Sequence, residues 1–162
     1  MLAVPENGDD TRTARGAQSD RVDSALMMTA KALRRTYDDA LGERLGLILH
    51  EANILGQLSA TRSLTQVELA RRVGVSRARV GVHIDALVER GAVKRVADPA
   101  DRRVWKVSLT RRGRSLWKQT VDVNRSVRAS VHAGLGDADL DALDRLLGSL
   151  QENLDLAAED AG

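Results

Sequence analysis

Apolar residues recur at spacings of three and four along much of the chain, a period typical of amphipathic helices. The first stripe consists of Val22, Leu26, Thr29, Leu33, Tyr37 and Leu41. It predicts a helix over residues 20–42, which Gly42 and Gly46 end. Residues 1–19 are polar with few large apolar side chains, so they are predicted to form a disordered tail. A second helix is predicted over about residues 50–60.

The central part of the chain carries strong signals for where helices begin and end. Thr65-Gln66-Val67-Glu68 has the spacing of a capping box, in which the two end residues satisfy each other's backbone N–H groups. The helix that it begins is predicted over about residues 66–73, and Gly74 ends it in the left-handed conformation. Ser76 is predicted to cap the next helix, over about residues 77–90.

Two short apolar runs, over residues 92–96 and 104–109, flank a turn-rich segment and predict a β-hairpin. A long helix is predicted over residues 110–132, and a last helix begins at Asp137. The leucines of this last helix lie on one face: Leu140, Leu143, Leu146, Leu147, Leu150 and Leu154. A single short helix cannot bury such a seam alone, so the seam predicts a partner.

The order of helix, glycine turn, capped helix and hairpin predicts a winged helix-turn-helix. Val80, Ile84 and Leu87 have the spacing that packs the second helix onto the first. That second helix, the recognition helix, can then lie in the major groove of DNA. The predicted fold class is mainly α with a small β-hairpin wing: a winged helix-turn-helix domain extended by helices at both ends.

Composition narrows the functional class. The chain has 162 residues, 43% hydrophobic and 30% charged, as is usual for a soluble globular protein. No apolar run approaches the ~20 residues of a membrane span, and the N-terminal segment lacks the pattern of a secretory signal, so a cytoplasmic location is expected. The absence of cysteine excludes disulfides and thiolate metal sites.

Charge is distributed unevenly along the chain. Residues 62–114 contain 14 Lys and Arg against 5 Asp and Glu, a local balance of +9. Residues 135–162 contain 1 against 8, a balance of −7. A basic middle suits a polyanion such as nucleic acid, although a salt-bridged globule with chance clustering is the alternative.

The wing contains the most specific motif, Asp98-Pro99-x-Asp101-Arg102-Arg103-x-x-x-Val107-x-Leu109-Thr110-x-x-Gly113. Further motifs are Leu47-x-x-His50-Glu51-Ala52-x-Ile54-Leu55, residues 65–87, and Glu89-Arg90-Gly91-Ala92-Val93-x-Arg95. On these motifs the chain resembles the MarR family of transcriptional regulators over roughly residues 22–156.

This resemblance implies a homodimer whose first and last helices interlock. The dimerisation helices are then residues 20–42 and 113–158, and the winged DNA-binding domain is residues 43–112. The resemblance also implies a palindromic operator in double-stranded DNA, and repression relieved by a small, often aromatic and anionic effector. No cofactor is expected. The alternative is a winged-helix scaffold that binds protein, with little or no sequence-specific DNA binding.

Seven residues of the helix-turn-helix are predicted to contact DNA: Thr65, Ser76, Arg77, Ala78, Arg79, Val82 and His83. Arg77 and Arg79 can each grip a guanine through two hydrogen bonds. Ser76 at the helix N-terminus suits a phosphate, and Ala78 and Val82 can touch thymine methyl groups. For the two arginines, a solvated helix face is the alternative.

The hairpin tip is predicted to make a second contact with DNA. Residues 98–101 turn the chain and project Arg102 and Arg103, and an arginine tip suits the narrow, electronegative minor groove. The resemblance implies that Arg103 enters this groove and that Asp101 holds its side chain. Arg102 is expected to meet phosphate and Asp98 to support the wing, with a surface salt bridge as the alternative reading of these charges.

The family's ligand pocket lies between the dimer helices and the winged domain. The residues of this chain expected there are Tyr37, Leu41, Leu47, His50 and Trp117. The chain has only two Trp, one Tyr and no Phe, so such a pocket would contain few rings, and core packing is the alternative for each residue.

Two other classes of protein find little support. The three histidines are scattered in sequence without the spacing of metal ligands, so no metal site is predicted. The sequence has no Gly-rich phosphate loop, no nucleophile elbow and no paired catalytic motif. The chain is therefore not predicted to be an enzyme.

Overall fold

The computed structural model of the protein describes residues 9–98, 101 and 103–160. Its elements are α1 (Asp9–Leu45), α2 (Leu49–Ala60), β1 (Leu64–Thr65), α3 (Gln66–Val73), α4 (Arg77–Glu89), β2 (Val93–Ala97), β3 (Trp105–Leu109), α5 (Arg111–Val131) and α6 (Asp137–Asp160). The prediction of a mainly α fold with a small β-hairpin wing is confirmed. Among the described helices, none has both the length and the apolar character needed to cross a membrane.

The first helix is longer than the sequence predicted. α1 begins at Asp9, whereas the sequence predicted its start at residue 20 after a disordered tail over residues 1–19, and residues 1–8 lie outside the described residues. Extending an existing helix costs far less than starting one, so the helix continues through polar residues and through Gly16, which by itself costs only about 1 kcal/mol. At its other end α1 runs through Gly42 and stops before Gly46, whose φ of 63° is left-handed.

The helix-turn-helix has the predicted caps. Thr65 Oγ1 accepts a hydrogen bond from the Glu68 N–H (3.2 Å), and the Glu68 carboxylate accepts one from the Thr65 N–H (2.7 Å). Gly74 ends α3 with a φ of 70°, as its left-handed role requires. Ser76 Oγ accepts from the N–H of Arg79 (3.3 Å) and begins α4. These local bonds set the angle at which α4 leaves the turn.

The wing belongs to a three-stranded antiparallel sheet in the order β1–β3–β2. The two hairpin strands lie within one residue of their predicted bounds. β1 was not predicted, because two residues are too few to show an alternating pattern. It pairs Leu64 with Val107 and so ties the hairpin to the start of α3.

One apolar core holds α1 to α4 and the sheet together. The core side chains with no exposed surface are Leu41, Leu47, Ile54, Leu55, Leu69, Val80, Ile84, Leu87 and Ala92. The start of α2 is fixed to α1 by a hydrogen bond from the Leu49 N–H to Asp38 Oδ1 (2.6 Å). Because helix N-terminal N–H groups lack partners within the helix, this carboxylate stabilises the junction of α1 and α2.

The described chain divides into two compact units that part between Val127 and Arg128. The buried residues of α5 are Gly113, Thr120, Val123 and Val127. Most of α5 therefore packs within the first unit. The assignment of residues 113–158 to dimerisation stays a prediction.

Both predicted apolar stripes are largely uncovered in the single chain. On α6, the exposed leucines include Leu143, Leu146, Leu147, Leu150 and Leu154. On α1, Val22, Leu26 and Leu33 are exposed, and only the end of the stripe at Leu41 is fully buried. Several large apolar side chains aligned on one helix face commonly mark an interaction surface.

Gly113 should be intolerant of any side chain. A Cβ at this position would overlap the carbonyl oxygen of Ala92 and come 3.1 Å from a methyl group of Leu109. We expect Gly113→Ala to lower the free energy of unfolding by about 2 kcal/mol, since the backbone of the wing must shift. The matched control is Gly148→Ala in α6, where a Cβ meets nothing within 4 Å and the stability should not fall. Urea titrations of both variants test this, and wild-type stability in Gly113→Ala would refute the close approach.

Candidate nucleic-acid interface

α4 turns one face into the core and the other towards solvent. Val80, Ile84 and Leu87 have no exposed surface. The exposed residues at the N-terminal end and on the outer side, which we call the α4 face, are Ser76, Arg77, Ala78, Arg79 and Val82. The structure thus brings five of the seven residues predicted for the helix-turn-helix onto one accessible surface.

The other two predicted residues, Thr65 and His83, are half-buried. The Thr65 hydroxyl donates to Glu68 Oε2 (2.8 Å), so its proton is already used within the α3 cap. The His83 ring faces His50 rather than standing free on the α4 face. Both residues therefore have a structural role in the described fold, whatever they contribute to binding.

Two aspartates shape the wing. Asp98 Oδ2 forms a salt bridge with Lys106 Nζ (2.6 Å). Asp101 Oδ1 accepts a hydrogen bond from the backbone N–H of Arg103 (2.9 Å). An aspartate that bonds to the backbone two residues on fixes a turn, and the expected hold of Asp101 on the Arg103 side chain stays a prediction. Arg103 is exposed beside this turn, and Arg102 lies outside the described residues.

A groove of about 620 Å³ lies between the starts of α3 and α4 and the wing. Its walls include Gln66, Val67, Arg77, Arg95, Arg103 and Trp105. The groove joins Arg77 of the α4 face to Arg103 of the wing, so these two predicted contacts border one continuous surface. Arg95 and Trp105 were not among the predicted contacts, because their positions depend on strand register. The two-residue spacing of Trp105 from the buried Val107 could have indicated that Trp105 lies on the core-facing side of β3.

The five residues expected in a ligand pocket have different surroundings in the described structure. Leu41 and Leu47 have no exposed surface and belong to the core. Tyr37 and Trp117 both pack against that core, and Trp117 also lines a groove of about 440 Å³ with Arg72. Aliphatic residues suit cores and pockets equally, so their spacing could not distinguish the two.

His50 and His83 lie 33 positions apart in the sequence but come together in the structure. Their ring centroids are 5.4 Å apart with a tilt of 39°. Arg34 Nη2 lies 2.8 Å from His50 Nε2, and since a guanidinium can only donate, this ring nitrogen must accept. The pair connects α1, α2 and α4. Within the described residues it has no third metal-ligand group beside it.

The surroundings of His50 favour its neutral form. Burial lowers the pKa of His50, and the positive charge of Arg34, the His83 ring and Arg79 lower it further, while Asp38 acts in the opposite direction. His50 Nδ1 and His83 Nε2 are buried and have no hydrogen-bond partner among the described protein atoms. Protonation of His50 would place a positive charge beside Arg34. It would also remove the ring lone pair that accepts the hydrogen bond from Arg34.

Comparison with known proteins agrees with this fold. Residues 45–104 match the model of the MarR family. A MarR/EmrR-family transcriptional regulator from Acinetobacter sp. ADP1 has a TM-score of 0.76 at 20% identity, over 85% of this chain and 97% of that chain. A mutant of MarR from E. coli complexed with operator DNA gives 0.74 at 22% identity, over 80% and 93%. BpsR from Bordetella bronchiseptica, whose DNA binding is regulated by 6-hydroxynicotinic acid, gives 0.73 at 24% identity, over 80% and 92%.

The lowered pKa of His50 predicts how stability depends on pH. Below the ordinary value of 6.5 the unfolded chain binds a proton that the folded chain resists, so the free energy of unfolding should fall as the pH drops through this value. Above this pH, His50 is neutral in both the folded and the unfolded chain, so it adds no pH dependence to the free energy of unfolding. Urea titrations between pH 8 and pH 5 measure this, at values spanning the ordinary pKa of about 6.5 for histidine. His50→Gln should flatten the slope, whereas the control His132→Gln, which changes an exposed ring, should keep it. An unchanged slope in His50→Gln would refute the assignment.

Proposed function

We propose, on the premise that residues 45–104 belong to the MarR family, that this chain is a sequence-specific, double-stranded-DNA-binding transcriptional regulator that acts as a homodimer. α4 lies in the major groove and the wing places Arg103 in the adjacent minor groove. Arg77 and Arg79 read guanine edges, Ser76 contacts phosphate, and Ala78 and Val82 contact thymine methyl groups.

The observation that carries this proposal is the continuity of the α4 face with the wing. Arg77, Arg79 and Arg103 are exposed, while Val80 and Ile84 hold α4 so that its outer face stays accessible. A helix of this kind with a basic hairpin beside it fits a major groove and its neighbouring minor groove. Arg102 is proposed to meet phosphate from the wing, and Asp98 and Asp101 to hold the hairpin in shape.

Dimerisation is supported by the uncovered apolar stripes of α1 and α6. Five exposed leucines on α6, from Leu143 to Leu154, lie on one helix face. Covering such a stripe with the same stripe of a second copy removes it from water on both sides, and a two-fold dimer matches a palindromic operator. The proposed dimerisation segments are residues 20–42 and 113–158.

The proposal extends to regulation by a small molecule. Repression released by a small aromatic anion is what the family resemblance implies, and BpsR is regulated by 6-hydroxynicotinic acid. Of the residues first expected to bind such an effector, Trp117 is the one that lines a described groove, where Arg72 supplies a positive charge. That groove is where we propose to look first for an effector.

Replacing the wing arginine tests the DNA-binding proposal. We expect Arg103→Ala to weaken binding to an operator selected from a random duplex library by at least about tenfold. The slope of log Kd against log salt concentration should also fall by about one, since a contact to DNA is lost. The thermal midpoint should stay unchanged because the side chain is exposed. Arg125→Ala removes the same charge at an exposed site of α5 and serves as the control. Equal loss of stability and binding in Arg103→Ala would mean that the residue is structural.

Charges placed in the leucine stripe test the dimer. The double variant Leu143→Glu/Leu150→Glu should sediment as a monomer at micromolar concentration, where the wild type is a dimer, because buried carboxylates without partners are costly. Ser149→Glu adds a charge on another face of the same exposed helix and should leave the dimer intact. A wild-type chain that sediments as a monomer would contradict the proposal.

A further inference from the structure

Trp105 occupies an unusual position for an aromatic residue in this chain. The sequence has only two Trp, one Tyr and no Phe, yet this indole is 59% exposed at the start of β3. Tryptophan side chains usually contribute their large apolar surface to a core or an interface. Trp105 lies largely outside the core, so its exposed surface is available to a partner.

Strand geometry explains where the indole points. Side chains alternate along β3, so Trp105 lies on the same face as Val107 and Leu109, which are buried. Its pairing partner on β2 is Ala97, a small residue that leaves the indole uncovered from that side. Trp105 therefore continues the core-facing side of the wing past the end of the core and into the groove beside α3 and α4.

The groove combines apolar walls with positive charge. Trp105 and the 58% exposed Val67 are its apolar walls. Arg77, Arg95 and Arg103 line it as well. Arg95 Nη2 forms a salt bridge with Asp85 Oδ1 (2.6 Å), and Arg95 lies on the same face of the sheet as Trp105. A ligand that carries both negative charge and an apolar surface is complementary to this lining.

We propose that this groove is a seat for the sugar–phosphate backbone of DNA, in which the Trp105 indole packs against a deoxyribose ring and Arg95 pairs with a flanking phosphate, while Arg77 and Arg103 keep their proposed contacts in the major and the minor groove. This inference rests on the proposed function and adds a contact to it. The DNA backbone alternates phosphates with sugars that present an apolar face, which matches the groove, and it passes between a major-groove helix and a minor-groove wing. Arginine forks suit phosphate geometry.

The indole contact has a signature that separates it from the arginine contacts. Phosphate contacts release counterions and so contribute to the salt dependence of binding, whereas apolar packing on a sugar does not. The contact is also independent of sequence, so it operates on any duplex. A labelled duplex of about 30 base pairs with arbitrary sequence, titrated at low salt, is therefore a sufficient probe.

We expect Trp105→Ala to bind this duplex about tenfold more weakly, about 1.4 kcal/mol, with an unchanged salt slope and an unchanged thermal midpoint. Trp105→Phe should bind within about threefold of the wild type, because a ring that can pack on the sugar is kept. Adding the duplex to the wild type should also change its tryptophan fluorescence. In Trp105→Phe, where Trp117 is the remaining tryptophan, the duplex should cause no such change.

The outcomes distinguish this inference from the proposed function. Wild-type affinity in Trp105→Ala, together with weakened binding in Arg103→Ala, would overturn the backbone seat and leave DNA binding intact. A wild-type chain that binds no duplex at low salt would overturn both. A change in Trp105 emission on adding benzoate, without one on adding DNA, would assign the groove to a small aromatic acid and overturn the inference.

Discussion

The burial of one face of α4 is the constraint on which the rest of the site depends. Val80, Ile84 and Leu87 have no exposed surface, since α2, α3 and β2 pack against α4, and this leaves a single orientation for the helix. The caps at Thr65 and Ser76 and the left-handed Gly74 bring the chain to that orientation over a very short turn. Any residue on the outer side of α4 then becomes accessible by geometry alone, including the arginines.

Four acidic residues of the basic region, residues 62–114, have bonding partners away from the α4 face. Of the 5 carboxylates among residues 62–114, Glu68 caps α3, Asp85 holds Arg95, Asp98 holds Lys106, and Asp101 bonds to the backbone of the wing. The hydrogen bonds from Thr65 lower the pKa of Glu68, and the Asp98 carboxylate raises the pKa of Lys106. These carboxylates serve local structure, while the α4 face and the wing tip keep exposed arginines.

How far the sequence predicts this structure depends on the range of each interaction. Capping at Thr65, the turn at Gly74 and the inner face of α4 are local patterns, and they were predicted correctly. The meeting of His50 with His83, the strand at Leu64 and the position of Trp105 result from tertiary contacts or strand register, which no short window of sequence contains. The start of α1 at Asp9 was not predicted for a different reason: the helix propagates through residues whose composition suggested disorder.

Selection of bound duplexes from a random library at near-physiological salt tests whether a two-fold dimer of this chain recognises a specific DNA sequence. We expect enrichment of a palindrome whose half-sites lie about one helical turn apart, because α4 of each protomer would enter successive major grooves on one side of the duplex. Recovery of DNA without any enriched sequence would contradict it, since the arginines of the α4 face and the wing would then contribute only their charge.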